Sequence, residues 1–302
     1  MKQFPSIPRV ANAPPELFDS GHLWIQEKVD GANFRFRLRQ SGMLEFGDRS
    51  RVYRNADEIP EPYNHAVRHV REAFDREALR AARDDVESVV FFGEAMHRHA
   101  IDYDWDRVPS FLGFDVWDEG GGDDADEGVG TSDEGDGRFL PPDAVEQAYD
   151  RLGLDSVNAF QKEVRATYFD PESYEVPASN WYDGPAAGVV LRNKTGLRAK
   201  LCHPNFREVE ETVPVDAPAE ELAQELVTHR RVEKVVRELE ARGRSVTFDA
   251  VYERVVEDVV REEYPQLFDG DDPEDAEWSV DAGAFRSEVA ARTQQFLDGE
   301  AA

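Results

Sequence analysis

Between residues 23 and 201 the chain alternates apolar and polar residues in short runs that are separated by turn residues. Alternation with a period of two is typical of strands that bury one face, so the pattern predicts a sheet-rich region. The predicted strands are LWIQEKV, ANFRFRLR, MLEFGDR, SVVFFGEAM, SFLGFDVWD, GVVLRNK and LRAKLC. Between them, residues 64–84 place apolar side chains at helical spacing, which predicts one surface helix.

The pattern changes after Pro214, where apolar residues recur with a helical period. Residues 219–242 predict a helix that ends at Gly243, because glycine readily adopts the left-handed conformation that closes a helix. A second helix is expected from an Asp249 cap to just before Pro265, and a third over residues 281–297. We therefore predict an α+β domain at residues 1–213 and a small all-α domain at residues 214–302.

Residues 118–137 consist largely of glycine and acidic residues. Such a segment cannot bury enough apolar surface to offset its chain entropy. It is predicted to be a mobile acidic insertion in a loop.

The composition is that of a globular protein, with 40% hydrophobic and 33% charged residues in 302. No apolar run approaches the roughly 18 residues that cross a bilayer, and residues 1–10 do not resemble a signal peptide. We expect a cytoplasmic protein without a membrane partner. A single cysteine, Cys202, excludes an internal disulfide, and no C-x-x-C pair is present to bind structural zinc.

The formal net charge is −29, which at first argues against a nucleic-acid partner. The acidic residues are spread over the whole chain, however, and only six of the 35 basic residues are lysine. This usage is typical of proteins that work in molar salt, where the Debye length is about 3 Å and long-range repulsion is screened. The charge therefore indicates a halophilic habitat more than a class of partner.

The most informative motif is EKVDGANF, which places Lys28 at the end of an apolar strand and Gly31 three residues later. Lys28 could then point into a pocket, while Gly31 would let the backbone approach a ligand. The same residues also fit a strand end that is followed by an Asp-Gly hairpin turn. The motif alone does not decide between the two interpretations.

Later strands supply further elements in a fixed order. They are Glu94 in FFGEAM, Phe114 in FLGFDVWD, Arg192 and Lys194 in GVVLRNK, and Arg198 and Lys200 in LRAKL. This ordered set resembles the covalent nucleotidyltransferase superfamily of polynucleotide ligases and capping enzymes. The E-K-x-D-G-x-N-F form is most similar to the RNA ligase 2-like branch, and the resemblance covers about residues 24–204.

The resemblance implies a ligase-type nucleotidyltransferase domain, unrelated to ATP-grasp, with antiparallel sheets and flanking helices. It also implies that Lys28 takes AMP from ATP and that Lys200 assists as a catalytic cation at the phosphates. The implied nucleotide-binding residues are Glu27, Asp30, Asn33, Arg49, Glu94, Phe114 and Arg198. Among these, Phe114 would stack on adenine, Glu94 would contact ribose or metal, and Arg198 would contact the α-phosphate.

One position departs from the family pattern. Ala187 stands where the family has a glutamate that helps to hold the divalent ion, so the metal ligands are not identified. Asp183 or Glu175 could substitute from a neighbouring turn. Residue 198 is arginine where lysine is usual, which keeps the charge but changes the geometry.

The run FRFRLR would place Arg35, Arg37 and Arg39 on one face of a strand. We predict that these three residues contact RNA phosphate; a solvated face balanced by nearby acids is the alternative.

The expected function is ATP-dependent joining of RNA 5′-phosphate and 3′-hydroxyl ends, with Mg or Mn, as in RNA repair. Only 27 residues precede Lys28, which favours ATP over NAD as the donor. A monomer is expected. A DNA ligase or capping-type enzyme, or a catalytically impaired nucleotide- or RNA-end-binding module, remain the alternatives.

Overall fold

The structure, a computed structural model, describes residues 1–120, 137–206, 217–270 and 273–299. The described strands are β1 (His22–Lys28), β2 (Ala32–Leu38), β3 (Leu44–Gly47), β4 (Val52–Tyr53), β5 (Val89–Ala95), β6 (Phe111–Asp118), β7 (Arg138–Phe139), β8 (Ala159–Arg165), β9 (Gly188–Arg192), β10 (Arg198–Cys202), β11 (Phe268–Asp269) and β12 (Glu277–Trp278). The described α-helices are α1 (Glu16–Asp19), α2 (Asn64–Ala73), α3 (Arg76–Ala82), α4 (Pro142–Arg151), α5 (Ala219–Leu226), α6 (His229–Ala241), α7 (Phe248–Glu262), α8 (Tyr264–Leu267) and α9 (Ala282–Leu297).

The chain divides into two compact units. The larger unit contains a four-stranded sheet in the order β10-β9-β1-β8 and a six-stranded sheet in the order β4-β3-β2-β5-β6-β7. All strand pairs within these two sheets are antiparallel. The predicted α+β class with antiparallel sheets is therefore confirmed.

The six-stranded sheet buries an aromatic face. Phe34, Phe36 and Leu38 alternate along β2 and are fully buried, as the period-two pattern predicted. The Phe36 ring stacks on Phe91 of β5 at 5.0 Å and meets Phe74, just beyond α2, edge-on at 5.1 Å. Aromatic packing on this face leaves the opposite face of β2 to polar side chains.

The four-stranded sheet has the same division between its faces. Its apolar face buries side chains from three strands: Leu23, Ile25, Val189, Leu191 and Ala199. The edge strands of this sheet are β10 and β8, and each has a feature that hinders pairing with a further strand. At the β10 edge the Lys200 amide donates to the Pro8 carbonyl at 2.8 Å, and at the β8 edge Lys162 and Glu163 are exposed.

The smaller unit contains α5 to α9 with the short segments Pro60–His65 and His97–His99. Its core is rich in valine from α7 and is closed by Phe285 and Val289 of α9. Thr247 caps α7 and Asp281 caps α9 through hydrogen bonds to backbone amides. The predicted third helix is thus confirmed almost to the residue, and the cap of the second is Thr247 rather than Asp249.

Two predicted helices are each divided in the structure. The helix predicted over residues 64–84 is α2 and α3, since the Asp75 carboxylate accepts from the Ala78 amide and starts a new helix. The helix predicted over residues 219–242 is α5 and α6, because the Thr228 side chain caps α6 in the same way. The elements that were not predicted are the strands β4, β7, β8, β11 and β12 and the helices α1, α4 and α8.

Other expectations fall outside the described residues. The predicted acidic insertion lies there apart from its first three residues and Gly137, and so does the predicted boundary between residues 213 and 214. Among the described helices, none has the length and apolar character that a bilayer crossing requires.

Candidate active site

Lys28 lies at the end of β1, on the polar face of the four-stranded sheet. It is paired with Gly188 of β9, which is paired with Cys202 of β10. Residues directly opposite in antiparallel strands project to the same face, so Lys28 shares its face with β10 side chains at positions 198, 200 and 202. The Lys28 Nζ donates one long hydrogen bond, 3.4 Å, to the Val29 carbonyl. The amine is thus only weakly engaged by the described residues.

Lys200 and Arg198 lie on that same face but differ in their contacts. Lys200 is half-buried, and its ammonium makes no hydrogen bond or ion pair with the described residues. Arg198 is bound by protein: its Nη2 is 2.5 Å from Asp115 Oδ2, and its Nη1 donates to the Gly196 carbonyl at 2.7 Å. The predicted cation pair is present, with one member engaged by protein groups.

Glu27 projects to the opposite face from Lys28 and is buried. It accepts hydrogen bonds from Ser179 Oγ at 2.5 Å and from the Asn180 amide at 3.1 Å. Burial raises the pKa of the Glu27 carboxyl above its ordinary value, and these hydrogen bonds oppose the rise. Glu27 therefore anchors the loop before β9.

The turn after Lys28 is held against neighbouring backbone. Asp30 Oδ2 accepts from the Ala100 amide at 3.0 Å, and its own amide donates to the Tyr103 hydroxyl at 2.8 Å. A Cβ at Gly31 would lie 2.7 Å from the Ala95 carbonyl oxygen. Gly31 thus permits a close approach, as predicted, but the observed neighbour is the end of β5.

Asn33 and Glu94 are directly opposite each other on β2 and β5. The Asn33 Oδ1 is buried and has no hydrogen-bond partner among the described residues, which leaves an acceptor for a ligand. Phe114 lies at an irregularity in the pairing of β5 with β6. Its ring contacts that of Phe4 nearly edge-on at 4.8 Å.

A buried ion cluster joins the two sheets of the larger unit. Asp115 of β6 binds Arg198 through one oxygen and Arg192 Nη2 of β9, at 3.1 Å, through the other. Arg192 also donates to the carbonyls of Phe114 and Leu140, at 2.8 and 3.0 Å. Burial lowers the pKa of Arg192 while Asp115 opposes that shift. The cluster fixes β6, and with it Phe114, against β9 and β10.

Arg49 is exposed in the turn between β3 and β4 and makes no hydrogen bond or ion pair with the described residues. The turn is organised by Asp48, which is fully buried and accepts from the amides of Ser50 and Arg51 at 2.7 and 2.6 Å. The Tyr53 hydroxyl donates to the same carboxylate. Asp48 thereby presents Arg49 to solvent.

The three arginines of β2 share one face, as predicted, but have different surroundings. Arg35 is 1% exposed and donates to the carbonyls of Lys2 and Arg51. Arg37 pairs with Glu45 at 2.6 Å, and Arg39 with Glu45 at 3.4 Å. The position of Arg35 does not fit a contact with RNA phosphate at the surface, because its guanidinium lies inside the protein and supports the Arg49 turn. For Arg37 and Arg39 that contact stays a prediction.

Ala187, at the position where the family pattern has a glutamate, is buried and packs in an apolar cluster. Asp183 and Glu175 are exposed in the preceding loop. The described residues contain no group of three or more His, Cys, Asp or Glu side chains that could hold a metal ion. They fit a magnesium ion that takes most of its ligands from nucleotide phosphates and water, and do not fit a cage built by the protein alone.

Sequence reasoning missed Asp115 and Phe4 as parts of this site, and it named Arg192 in the ordered set without giving it a role. A usable signal existed for Asp115, because an acidic residue inside the apolar strand FLGFDVWD needs a buried cation. Arg192 and Arg198 occupy strands as well and are the cations that meet this need. No local pattern indicates that Phe4 packs against Phe114.

A family model described as RNA ligase matches residues 21–204 of the chain. The chain belongs to the RNA ligase family. The match includes every predicted site residue of this RNA ligase family member, from Glu27 to Lys200. A sequence comparison with curated proteins found no match.

Two solved structures are similar to this RNA ligase family member. An archaeal ATP-dependent RNA ligase is 18% identical with a TM-score of 0.46, over 88% of this chain and 64% of that one. A Naegleria gruberi RNA ligase variant solved with ATP and Mn is 15% identical with a TM-score of 0.48, over 68% of this chain and 57% of that one. The chain therefore spans less than two thirds of the length of these ligases.

Proposed function

We propose that the protein is an ATP-dependent RNA ligase of the RNA ligase 2-like branch, which joins a 5′-phosphate to a 3′-hydroxyl through a lysyl-AMP intermediate on Lys28. The observation that carries the proposal is the placement of Lys28 on the same sheet face as Lys200, with few protein contacts to either amine. Family membership over residues 21–204 supports the reaction class.

In the first step the neutral Lys28 amine attacks the α-phosphorus of ATP. A P–N bond forms, the bond from the α-phosphorus to the bridging oxygen breaks, pyrophosphate leaves, and the nitrogen releases its extra proton to water. Lys200 neutralises charge on the phosphate oxygens, which is how phosphoryl transfer is mainly catalysed. A bound divalent ion would supply the same neutralisation at the pyrophosphate oxygens.

In the second step an oxygen of the RNA 5′-phosphate attacks the α-phosphorus, the P–N bond breaks, and the departing nitrogen takes up a proton from water to regenerate the Lys28 amine. In the third step the 3′-hydroxyl attacks the 5′-phosphorus and releases its proton to water, the bond from that phosphorus to the oxygen shared with AMP breaks, and a phosphodiester forms as AMP leaves. Asn33 has a buried acceptor for the ligand, and Arg49 is an exposed cation for phosphate.

The proposed setting is a salt-rich cytoplasm, and the proposed state is a monomer. The net charge of −29 and the use of only six lysines support a salt-rich setting. Molar KCl screens long-range repulsion, so only charges in direct contact interact appreciably. The proposed role in RNA repair follows from the end chemistry.

A second candidate function is a nucleotide- or RNA-end-binding module without catalysis. The buried Ala187, at the position of a family carboxylate, favours it specifically. Such a module would bind ATP or RNA ends without a divalent ion and without forming an adduct.

The test is incubation with α-labelled ATP and Mg or Mn in molar KCl, followed by denaturing electrophoresis, with GTP and NAD in parallel. We expect the parent protein to retain label from ATP and Lys28→Ala to lose it, since that variant removes the nucleophile. The variant should still fold, because Lys28 is only half-buried. Label retained in Lys28→Ala would refute the nucleophile. A folded protein without label under either metal would favour the binding module.

A further inference from the structure

We propose that Arg198 is a positioning residue that, with Asp115 and Arg192, locks the two sheets of the larger unit together, and that Lys200 alone among the β10 cations meets the nucleotide phosphates. The inference concerning Lys200 rests on the proposed function.

The guanidinium of Arg198 is occupied on both of its terminal nitrogens. One is 2.5 Å from Asp115 Oδ2, and the other donates to the Gly196 carbonyl at 2.7 Å. The guanidinium also lies over the Phe139 ring, 4.5 Å from its centroid. The side chain is 9% exposed, and its remaining Nε–H is buried. A guanidinium held from three sides can reach a phosphate only by giving up these contacts.

Asp115 shares its charge between two strands of the other sheet. Its second oxygen binds Arg192, which also donates to the Phe114 carbonyl at 2.8 Å. Asp115 and Phe114 are consecutive in β6, so these ion pairs directly fix the backbone that carries the ring predicted to stack on adenine. We call Asp115, Arg192 and Arg198 the intersheet bracket. It sets the distance between that ring and the strands that carry Lys28 and Lys200.

Lys200 is the contrasting case on the same strand. It lies two residues from Arg198 and therefore on the same face, yet its ammonium has no partner among the described residues. It can turn toward a phosphate without breaking a protein contact. The division of labour also accounts for arginine at position 198, because a lysine there could not bind Asp115 and the Gly196 carbonyl with a planar fork.

The experiment compares Asp115→Asn, Arg198→Gln, their double variant and Arg198→Lys by thermal unfolding and by the rate and ATP dependence of adduct formation. Asp143→Asn is the matched control, since Asp143 also pairs with a cation next to these strands, Lys194 of the β9–β10 turn, but the two side chains are 41% and 50% exposed. We expect the control to unfold and react as the parent protein does.

The bracket predicts that each single variant unfolds several degrees earlier and forms adduct roughly tenfold more slowly or worse. The double variant should be no worse than the more severe single variant, because both remove one shared contact. Arg198→Lys should be as impaired as Arg198→Gln, although it keeps the charge. In contrast, Lys200→Ala should slow adduct formation without lowering the unfolding temperature.

Additive losses in the double variant, or full activity in Arg198→Lys, would overturn the proposal, since a direct phosphate ligand gives that result. Absence of adduct in the parent protein would instead count against the proposed function. The unfolding data would then still test the intersheet bracket. Non-additive decreases in unfolding temperature for the single and double variants would support it, and additive decreases would refute it.

Discussion

Asp115 and Glu27 are buried carboxylates next to candidate active-site residues, and they are neutralised in different ways. Asp115 directly follows Phe114 and is paired with two arginines. Glu27 directly precedes Lys28 and accepts hydrogen bonds from a hydroxyl and a backbone amide. Both side chains are 2% exposed or less. The cost of burying a charge is therefore offset by ion pairs at Asp115 and by hydrogen bonds from neutral groups at Glu27.

The difference indicates what each carboxylate does. Asp115 pairs with one arginine from β9 and one from β10, and so joins β6 to strands that are far away in sequence. Glu27 has neutral donors only, and burial raises the pKa of its carboxyl above the ordinary value. Asp115 therefore joins two sheets through ion pairs, and Glu27 anchors a loop through hydrogen bonds from neutral groups.

The largest effect is expected from Asp115→Ala. It leaves Arg192 and Arg198 buried without their counter-ion, and breaking a buried pair in this way costs about 3–5 kcal/mol. Urea unfolding measures the loss against the parent protein. A loss below about 1 kcal/mol, the value typical of a solvated pair, would contradict the role of Asp115 as a buried counter-ion.

An intermediate effect is expected from Asp48→Ala. Asp48 is fully buried, accepts hydrogen bonds from two backbone amides and the Tyr53 hydroxyl, and pairs with Arg51 at 3.6 Å. Its removal leaves several donors unsatisfied at a cost of about 2 kcal/mol. Ser50→Ala, which removes one hydroxyl contact, is the control and should cost far less. Equal losses in the two variants would show that the carboxylate does not organise the turn.

The smallest effect is expected from Glu27→Gln, and it depends on pH. The folded pKa is raised, so the stabilisation linked to this group is complete below the unfolded value near 4.5 and declines as pH rises through the folded pKa. Gln does not ionise, so the variant should lose this slope and equal or exceed the parent at pH 7 by about 1 kcal/mol or less. Unfolding temperatures across pH 4–8 test it. A parent protein that gains stability over that window relative to Glu27→Gln contradicts the assignment.

The sequence predicted the strands well because their apolar faces are buried. In β2, for example, the alternation of Phe34, Phe36 and Leu38 follows directly from the packing of that face. Strand β8 escaped prediction because its middle residues, Gln161 to Glu163, are exposed and polar and give no apolar period. Helix ends within 219–242 escaped because Thr228 interrupts an apolar period that continues on both sides.

The candidate site was predictable where a motif carries it and not where long-range contacts do. Lys28 and Lys200 stand in recognisable runs, and their shared face follows from the strand register. Arg35 and Arg198 each bind a residue at least 16 positions away, Arg51 and Asp115 respectively. Alternation can assign a side chain to a face, but it cannot say whether that face meets solvent, RNA or another sheet.

The edges of the four-stranded sheet have a consequence for how the protein behaves when concentrated. Unpaired strand edges template association between copies, and charge repulsion does little to prevent this when salt is molar. Here the β10 edge is hydrogen-bonded to Pro8, and the β8 edge carries Lys162 and Glu163. Backbone coverage at one edge and charged side chains at the other therefore oppose the addition of a further strand to this sheet, and neither depends on long-range repulsion.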